Sequence, residues 1–246
     1  VKTGEADAFL SAGSTGAMVA AAIFVLRRIP GVKRPAIGTV LPTIGRPVLL
    51  IDAGANTDCD EVELEQFALM GSLYSQAILG QSSPSVGLLS IGEEDLKGNG
   101  VTKKTFERLR CNSAIAFRGN VEGHDVFEGE TDVIVCDGFV GNVLLKTVES
   151  AARTIAHWMK LEFKANPLRL FGAICLSGAL RSMKKRLDPD IYGGAPLLGV
   201  NGTVIITHGS SSHKAIFHAI RVSAEAARTR VYARISDQLA SLARQP

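Results

Sequence analysis

SAGSTGA (Ser11–Ala17) and CDGFVGN (Cys136–Asn142) are two glycine-containing turns, each preceded by an apolar run and followed by an amphipathic one. Ala8-Phe9-Leu10 leads into the first and Val133-Ile134-Val135 into the second, both apolar enough to be buried strands. The stretch after each turn reads as a helix. A strand–turn–helix points free backbone N–H groups and the positive helix end at one spot, which suits an anion. Two such turns in one α/β chain predict a site that handles phosphate.

Outward from these turns the sequence alternates strands and helices. Strands are expected at Ala8–Ser11, Ala36–Leu41, Val48–Asp52, Val86–Ile91, Ala114–Arg118, Asp132–Asp137 and Thr203–Thr207. Helices are expected at Thr15–Arg28, Glu61–Leu79, Val101–Arg110, Val140–Lys160, Pro167–Lys185 and Ser212–Leu242. The strand runs are rich in Val, Ile and Leu without polar alternation, as for strands covered on both faces. The alternation predicts a mostly parallel α/β sheet with ligands at the carboxyl ends of its strands. Polar loops stand at five such ends: Ser11–Gly16, Asp52–Asp58, Gly92–Asn99, Asp137–Asn142 and His208–Ser212. All five are expected to meet on one rim.

Composition narrows the function. The 246 residues can bury a proper core, and 46% hydrophobic with 21% charged residues is the balance of a soluble globular chain. A net charge of +3 is too small and dispersed for a nucleic-acid partner. Cys59, Cys111, Cys136 and Cys175 show no metal or disulfide spacing, so a reducing, cytoplasmic setting is expected, with Cys136 as core filler. No HExxH pattern is present, and neither a metal nor a cofactor is expected. The first residues hold no signal peptide, and the longest apolar run, Ala17–Leu26, is far shorter than the ~20 residues of a membrane span.

Within the loops, Lys97 lies in GEEDLKGN (Gly92–Asn99) directly after an apolar run, where its ammonium can offer a point charge to a phosphate or stay solvated. Asn142 opens a helix and can cap it or face the rim as a donor. Ser14 or Thr15 can likewise cap the helix that follows SAGSTGA. His208 reads as a hydrogen-bonded loop residue and a binding candidate rather than as a base. The stretch 157–186 sets Lys160, Lys164, Arg169, Arg181, Lys184, Lys185 and Arg186 against Glu162 alone, with Leu168, Leu170, Phe171, Ile174 and Leu176 between them. A basic, apolar helical hairpin of this kind suits either dimer packing or an anionic bilayer surface. Ile216, Ile220, Ala227, Val231, Ile235, Leu239 and Leu242 predict one continuous buried stripe on the last helix.

Taken together, SAGSTGA, LIDAGANTDCD (Leu50–Asp60), QFALMGSLYS (Gln66–Ser75), GLLSIGEEDLKGN (Gly87–Asn99), GNVEGHDVF (Gly119–Phe127), DVIVCDGFVGNVLLKTVE (Asp132–Glu149) and YGGAPLLGVNGTVIITHGSSS (Tyr192–Ser212) resemble one family. They are similar, in the same order, to the acyl-[acyl carrier protein]:phosphate acyltransferases, the PlsX family of bacterial phospholipid synthesis. The resemblance implies a Rossmann-like three-layer α/β/α fold, related to phosphotransacetylases and isopropylmalate dehydrogenases. It implies one catalytic domain over 1–246 with 157–186 as an inserted helical hairpin, working as a homodimer. The implied reaction joins inorganic phosphate to a fatty acyl group from acyl carrier protein.

By the same resemblance Lys97 neutralises phosphate or the developing oxyanion, and Asn142 orients that group. Ser11, Gly13, Ser14, Thr15, Gly16, Asn56, Asp137, Gly138, Gly141, His208, Gly209 and Ser210 line the phosphate and thioester site. Arg169, Leu170, Phe171, Ile174, Lys184 and Lys185 meet a peripheral membrane surface or the acidic carrier. Family members usually begin with a strand and an Asp-Ala-Met-Gly-Gly-Asp turn that this sequence lacks, so an N-terminally truncated chain is expected. Many members also have Asn where this chain has Ser14. A coenzyme A-dependent phosphotransacetylase and an inactive carrier- or membrane-binding fragment are the alternatives.

Overall fold

The structure, a computed structural model, describes residues 1–242; residues 243–246, the end of the expected 1–246 domain, lie outside the described residues. Its strands are β1 (Ala8–Ala12), β2 (Ala36–Leu41), β3 (Val48–Ile51), β4 (Ser85–Leu89), β5 (Ala116–Val121), β6 (Val133–Val135), β7 (Ala195–Leu198) and β8 (Thr203–Thr207). They form one sheet in the order β1-β8-β7-β2-β3-β6-β4-β5. The helices are α1 (Thr15–Leu26), α2 (Glu61–Tyr74), α3 (Gly100–Cys111), α4 (Gly138–Lys164), α5 (Pro167–Cys175), α6 (Ser177–Arg186), α7 (His213–Arg228) and α8 (Val231–Leu242). No helix among the described residues is long and apolar enough to cross a membrane.

Alternating side chains divide the core into two layers. Ala36, Val40, Leu49, Ile51, Val133, Val135 and Leu198 pack with residues of α2, α3 and α8. Ile205 extends that face under α7. On the opposite face, Ile37, Leu197, Val204 and Ile206 pack on Met18 and Ala22 of α1, and Leu50, Ile134 and Cys136 border Leu144 and Leu145 of α4. The result is a three-layer, Rossmann-like α/β/α fold with a mixed, mostly parallel sheet. Strands β3, β6 and β8 are buried throughout, which is why they read as unbroken apolar runs.

Strand direction corrects the expectation of a single rim. β1 runs parallel to β8, and β3, β6, β4 and β5 run parallel to one another. Between the two blocks the pairs β8–β7, β7–β2 and β2–β3 are all antiparallel. The carboxyl ends of β1 and β8 therefore lie at the sheet edge opposite those of β3, β4 and β6. The loops divide as Ser11–Gly16 with His208–Ser212 on one edge, and Asp52–Asp58, Gly92–Asn99 and Asp137–Asn142 on the other. Only six residues, PTIGRP (Pro42–Pro47), join β2 to β3. A parallel crossover needs about a dozen or more, so this link forces a reversal.

Three further elements differ from expectation. β7 is new: its Pro196 and flanking glycines hid a short strand that pairs with β2 and β8. The helix expected over Ser212–Leu242 breaks after Arg228, with Arg230 in the left-handed region at φ 50°. The stripe consequently divides: Val231 and Ile235 of α8 enter the core, whereas Ile220 of α7 faces solvent. Pro167–Lys185 is two helices, α5 and α6, separated at Leu176.

Candidate functional site

The β3 edge is organised by Asp52, whose residue is fully buried. Its Oδ1 accepts from the backbone N–H of Ile37 (3.0 Å), Gly54 (3.2 Å) and Ala55 (3.0 Å). Its Oδ2 accepts from the backbone N–H and side-chain Nδ2 of Asn56, both at 2.8 Å. Burial pushes the Asp52 carboxyl above the usual range, opposed by these same hydrogen bonds. Asn56 also donates Nδ2 to the Pro35 carbonyl at 2.8 Å, so the NH2 of its amide fastens the loop.

The turn into α4 is seated on this loop. The Gly138 N–H donates to the Asn56 carbonyl at 2.7 Å, and the Val140 N–H donates to Asp137 Oδ1 at 2.8 Å. A Cβ on Gly141 would fall 1.9 Å from the Asp52 carbonyl oxygen, so only glycine lets α4 start this close to β3. Two of the amides expected to cradle an anion are thus occupied by the chain itself. Asn142, next along, is exposed, and its side chain lies over Gly54: a Cβ there would sit 3.4 Å from Asn142 Cβ and 3.5 Å from Oδ1. Burial raises the nearby Cys59 thiol to about 12 and lifts Cys136 as well, which suits packing groups and not nucleophiles.

Lys97 belongs to the same edge, because β4 neighbours β6 and runs parallel to it. Its side chain is half-exposed, with Nζ 3.8 Å from Glu94 Oε1. Asn99 ends the loop by accepting from Val101 and Thr102 N–H as the cap of α3.

At the other edge, Ser14 occupies the capping position of α1 but makes no side-chain capping bond. The first helical bond there is Met18 N–H to the Ser14 carbonyl at 3.1 Å, and Thr15, Gly16 and Ala17 N–H have no acceptor among the described residues. Ala12 through Gly16 are exposed. Beside them the Thr207 hydroxyl donates to the Ser11 carbonyl at 3.3 Å. His208 Nδ1 lies 2.6 Å from Ser210 Oγ and accepts from the Ser210 N–H at 3.2 Å, closing a tight turn around Gly209. Ser212 caps α7.

The structure thus assembles two groups of expected residues: Ser11, Gly13, Ser14, Thr15 and Gly16 with His208, Gly209 and Ser210, and Asn56, Asp137, Gly138, Gly141 and Asn142 with Lys97 on a neighbouring loop. α1 and α4 lie on one face of the sheet, and Met18, one turn into α1, shares an apolar cluster with Ala53, Ala55 and Leu145. The helix starts therefore flank the same face from opposite edges. Arg169, Leu170, Phe171 and Ile174 on α5 and Lys184 and Lys185 on α6 are all exposed, and neither helix buries a residue. Two residues not named as site candidates in the sequence adjoin Lys97: Gly92, in the same loop, lies against the lysine stem, and Asn120 donates to the Glu94 carbonyl at 2.9 Å.

A family model described as fatty acid synthesis protein matches residues 1–234. The phosphate acyltransferase of Synechococcus elongatus is 52% identical over 233 residues, 94% of this chain and 67% of that protein. The phosphate acyltransferase of Caldanaerobacter subterraneus is 49% identical over 221 residues, 90% of this chain and 66% of that protein. The chain thus spans about two thirds of the length of these relatives. Among solved structures, a phosphotransacetylase from Streptococcus pyogenes superposes with a TM-score of 0.61 at 20% identity, covering 93% of this chain and 65% of the other. EutD phosphotransacetylase from Staphylococcus aureus gives 0.59 at 16% identity, covering 92% and 65%. At such identities these two likenesses are of fold.

Proposed function

The chain belongs to the PlsX family of phosphate acyltransferases, and from that premise we propose that it transfers a fatty acyl group from acyl carrier protein to inorganic phosphate, for phospholipid synthesis. A phosphate oxygen attacks the thioester carbonyl, the C–S bond breaks, and the carrier leaves as a thiol after taking up a proton. Phosphate is a competent nucleophile and the thioester is already activated, so the protein's task is to hold two anionic partners and stabilise the oxyanion.

The observation that carries this reading is the open first turn of α1. Free N–H groups of Thr15, Gly16 and Ala17 at a positive helix end, beside the His208–Ser210 turn, suit a phosphate dianion. At the opposite edge Lys97 supplies positive charge and Asn142 an amide donor for the oxyanion that forms at the thioester carbonyl. Residues 1–246 belong to one α/β catalytic domain, which works in the cytoplasm as a homodimer. The basic, apolar α5–α6 insertion rests on an anionic membrane surface or meets the acidic carrier.

Mixing the chain with phosphate and acyl carrier thioester, and following acyl phosphate, tests the proposal. Turnover with the carrier thioester supports it. Turnover with acyl-coenzyme A alone moves the assignment to a phosphotransacetylase. No product from either donor leaves a binding fragment. Flotation with anionic vesicles tests the insertion: no binding, and no change on Leu170→Glu, removes the membrane contact.

A further inference from the structure

Lys97 is held by its surroundings in a way that its sequence neighbourhood does not suggest. Its backbone N–H donates to the Glu94 carbonyl at 2.9 Å, and the same carbonyl accepts from Asn120 Nδ2 at 2.9 Å. Asn120 lies on β5, only 8% exposed, and reaches across from the neighbouring strand to this single oxygen. Its Oδ1 has no partner among the described residues, nor has the buried Ser90 Oγ at the base of the same loop. A buried amide kept with one side unsatisfied is costly, on the order of 1–3 kcal/mol, so the Glu94 contact has to justify its presence.

The second element is Gly92. A Cβ built there would fall 2.7 Å from Lys97 Cγ, 3.1 Å from Lys97 Cδ and 2.8 Å from Glu94 Oε2. The Lys97 stem therefore runs over the bare Cα of Gly92 on its way to Glu94. Unlike Gly98, whose φ of 100° requires glycine, Gly92 does not adopt a left-handed conformation. An alanine at Gly92 needs no left-handed backbone and collides with two flexible side chains, the Lys97 stem and the Glu94 carboxylate.

We propose that Gly92 and Asn120 are positioning residues for Lys97: Asn120 pins the turn at the Glu94 carbonyl, and Gly92 keeps open the channel that aims the ammonium. The inference rests on the proposed role of Lys97, and its test separates the two. In the full chain, Gly92→Ala and Asn120→Ala are compared with the parent by acetylation rates of individual lysines, read by peptide mass spectrometry, with Lys103 and Lys104 as internal references. Displacing the Lys97 stem from Gly92 and its ammonium from Glu94 raises its labelling about twofold or more, the size of a half-exposed ion pair. Labelling of Lys103 and Lys104 and the melting temperature of Gly92→Ala stay unchanged.

Acyl phosphate formation by Gly92→Ala falls about 10- to 10²-fold in kcat, the cost of a misplacement near 1 Å, with KM for the carrier thioester little altered. Unchanged Lys97 labelling in both variants overturns the positioning inference, whatever happens to activity. Raised labelling with full turnover upholds the positioning and instead removes Lys97 from the proposed reaction. Asn120→Ala guards against a misfolded result, because it removes the pin without adding volume.

Discussion

At the start of α1 the N–H groups of Thr15, Gly16 and Ala17 meet no acceptor among the described residues, and the Ser14 side chain caps nothing. At the start of α4, Gly138 donates to the Asn56 carbonyl, Val140 donates to Asp137, and Gly141 lies against the Asp52 carbonyl. Both are glycine turns between a strand and a helix. One presents its amides outward, and the other uses them to lock two loops of the same edge together. Glycine serves different ends in the two. A Cβ on Gly16 would meet nothing within 4 Å, whereas one on Gly141 would overlap a carbonyl. In the second turn glycine answers a packing demand, and the polar group left exposed is a side chain, Asn142.

The sharpest way to break this contrast is Gly141→Ala. It should cost about 4 kcal/mol or prevent folding, because the new methyl meets backbone that cannot move aside, and denaturant unfolding reads it directly. A cost under about 1 kcal/mol would mean that the two turns are not packed differently. Next in size, Lys97→Ala or Asn142→Ala should lower acyl phosphate formation about 10²–10³-fold with little change in unfolding. Near-normal turnover in both would leave the α4 edge without a chemical role.

Ser14→Asp probes the open turn from within. A carboxylate at the cap position should stabilise α1 by about 0.5–1 kcal/mol. It should also weaken phosphate binding about 10-fold in calorimetry, since it competes for the same amides. Asp137→Ala, the matching change at α4, should cost about 1 kcal/mol in stability, read by denaturant unfolding. Smallest of all, Gly16→Ala should shift stability by no more than about 0.5 kcal/mol, in either direction, in the same unfolding assay.

Much of the architecture was legible in short stretches. β2 and β8 occupy the expected spans, and most other elements begin within a residue or two of expectation, because apolar density and capping residues act over single turns. Asp60 shows why: it accepts from Val62 and Glu63 N–H while Glu63 accepts from the Asp60 N–H, all inside four consecutive residues. The break at Arg230 carried no glycine or proline to announce it, and Pro196 argued against the strand that contains it. The reversal at Pro42–Pro47 was there to be read in the length of the link.

The site was only half legible, and for one reason. The order of residues alone carried the family, the alternation of strands and helices, and the exposed, basic character of α5 and α6, but not that β1, ahead of SAGSTGA, leaves Phe9 exposed at the sheet edge. What it carried depends on neighbours a few residues apart. The tertiary structure alone decided which amides stay free, which edge each loop occupies, and what surrounds Lys97. Gly138 finds its acceptor at Asn56 and the Lys97 loop is pinned by Asn120, partners brought close only when distant strands pair side by side.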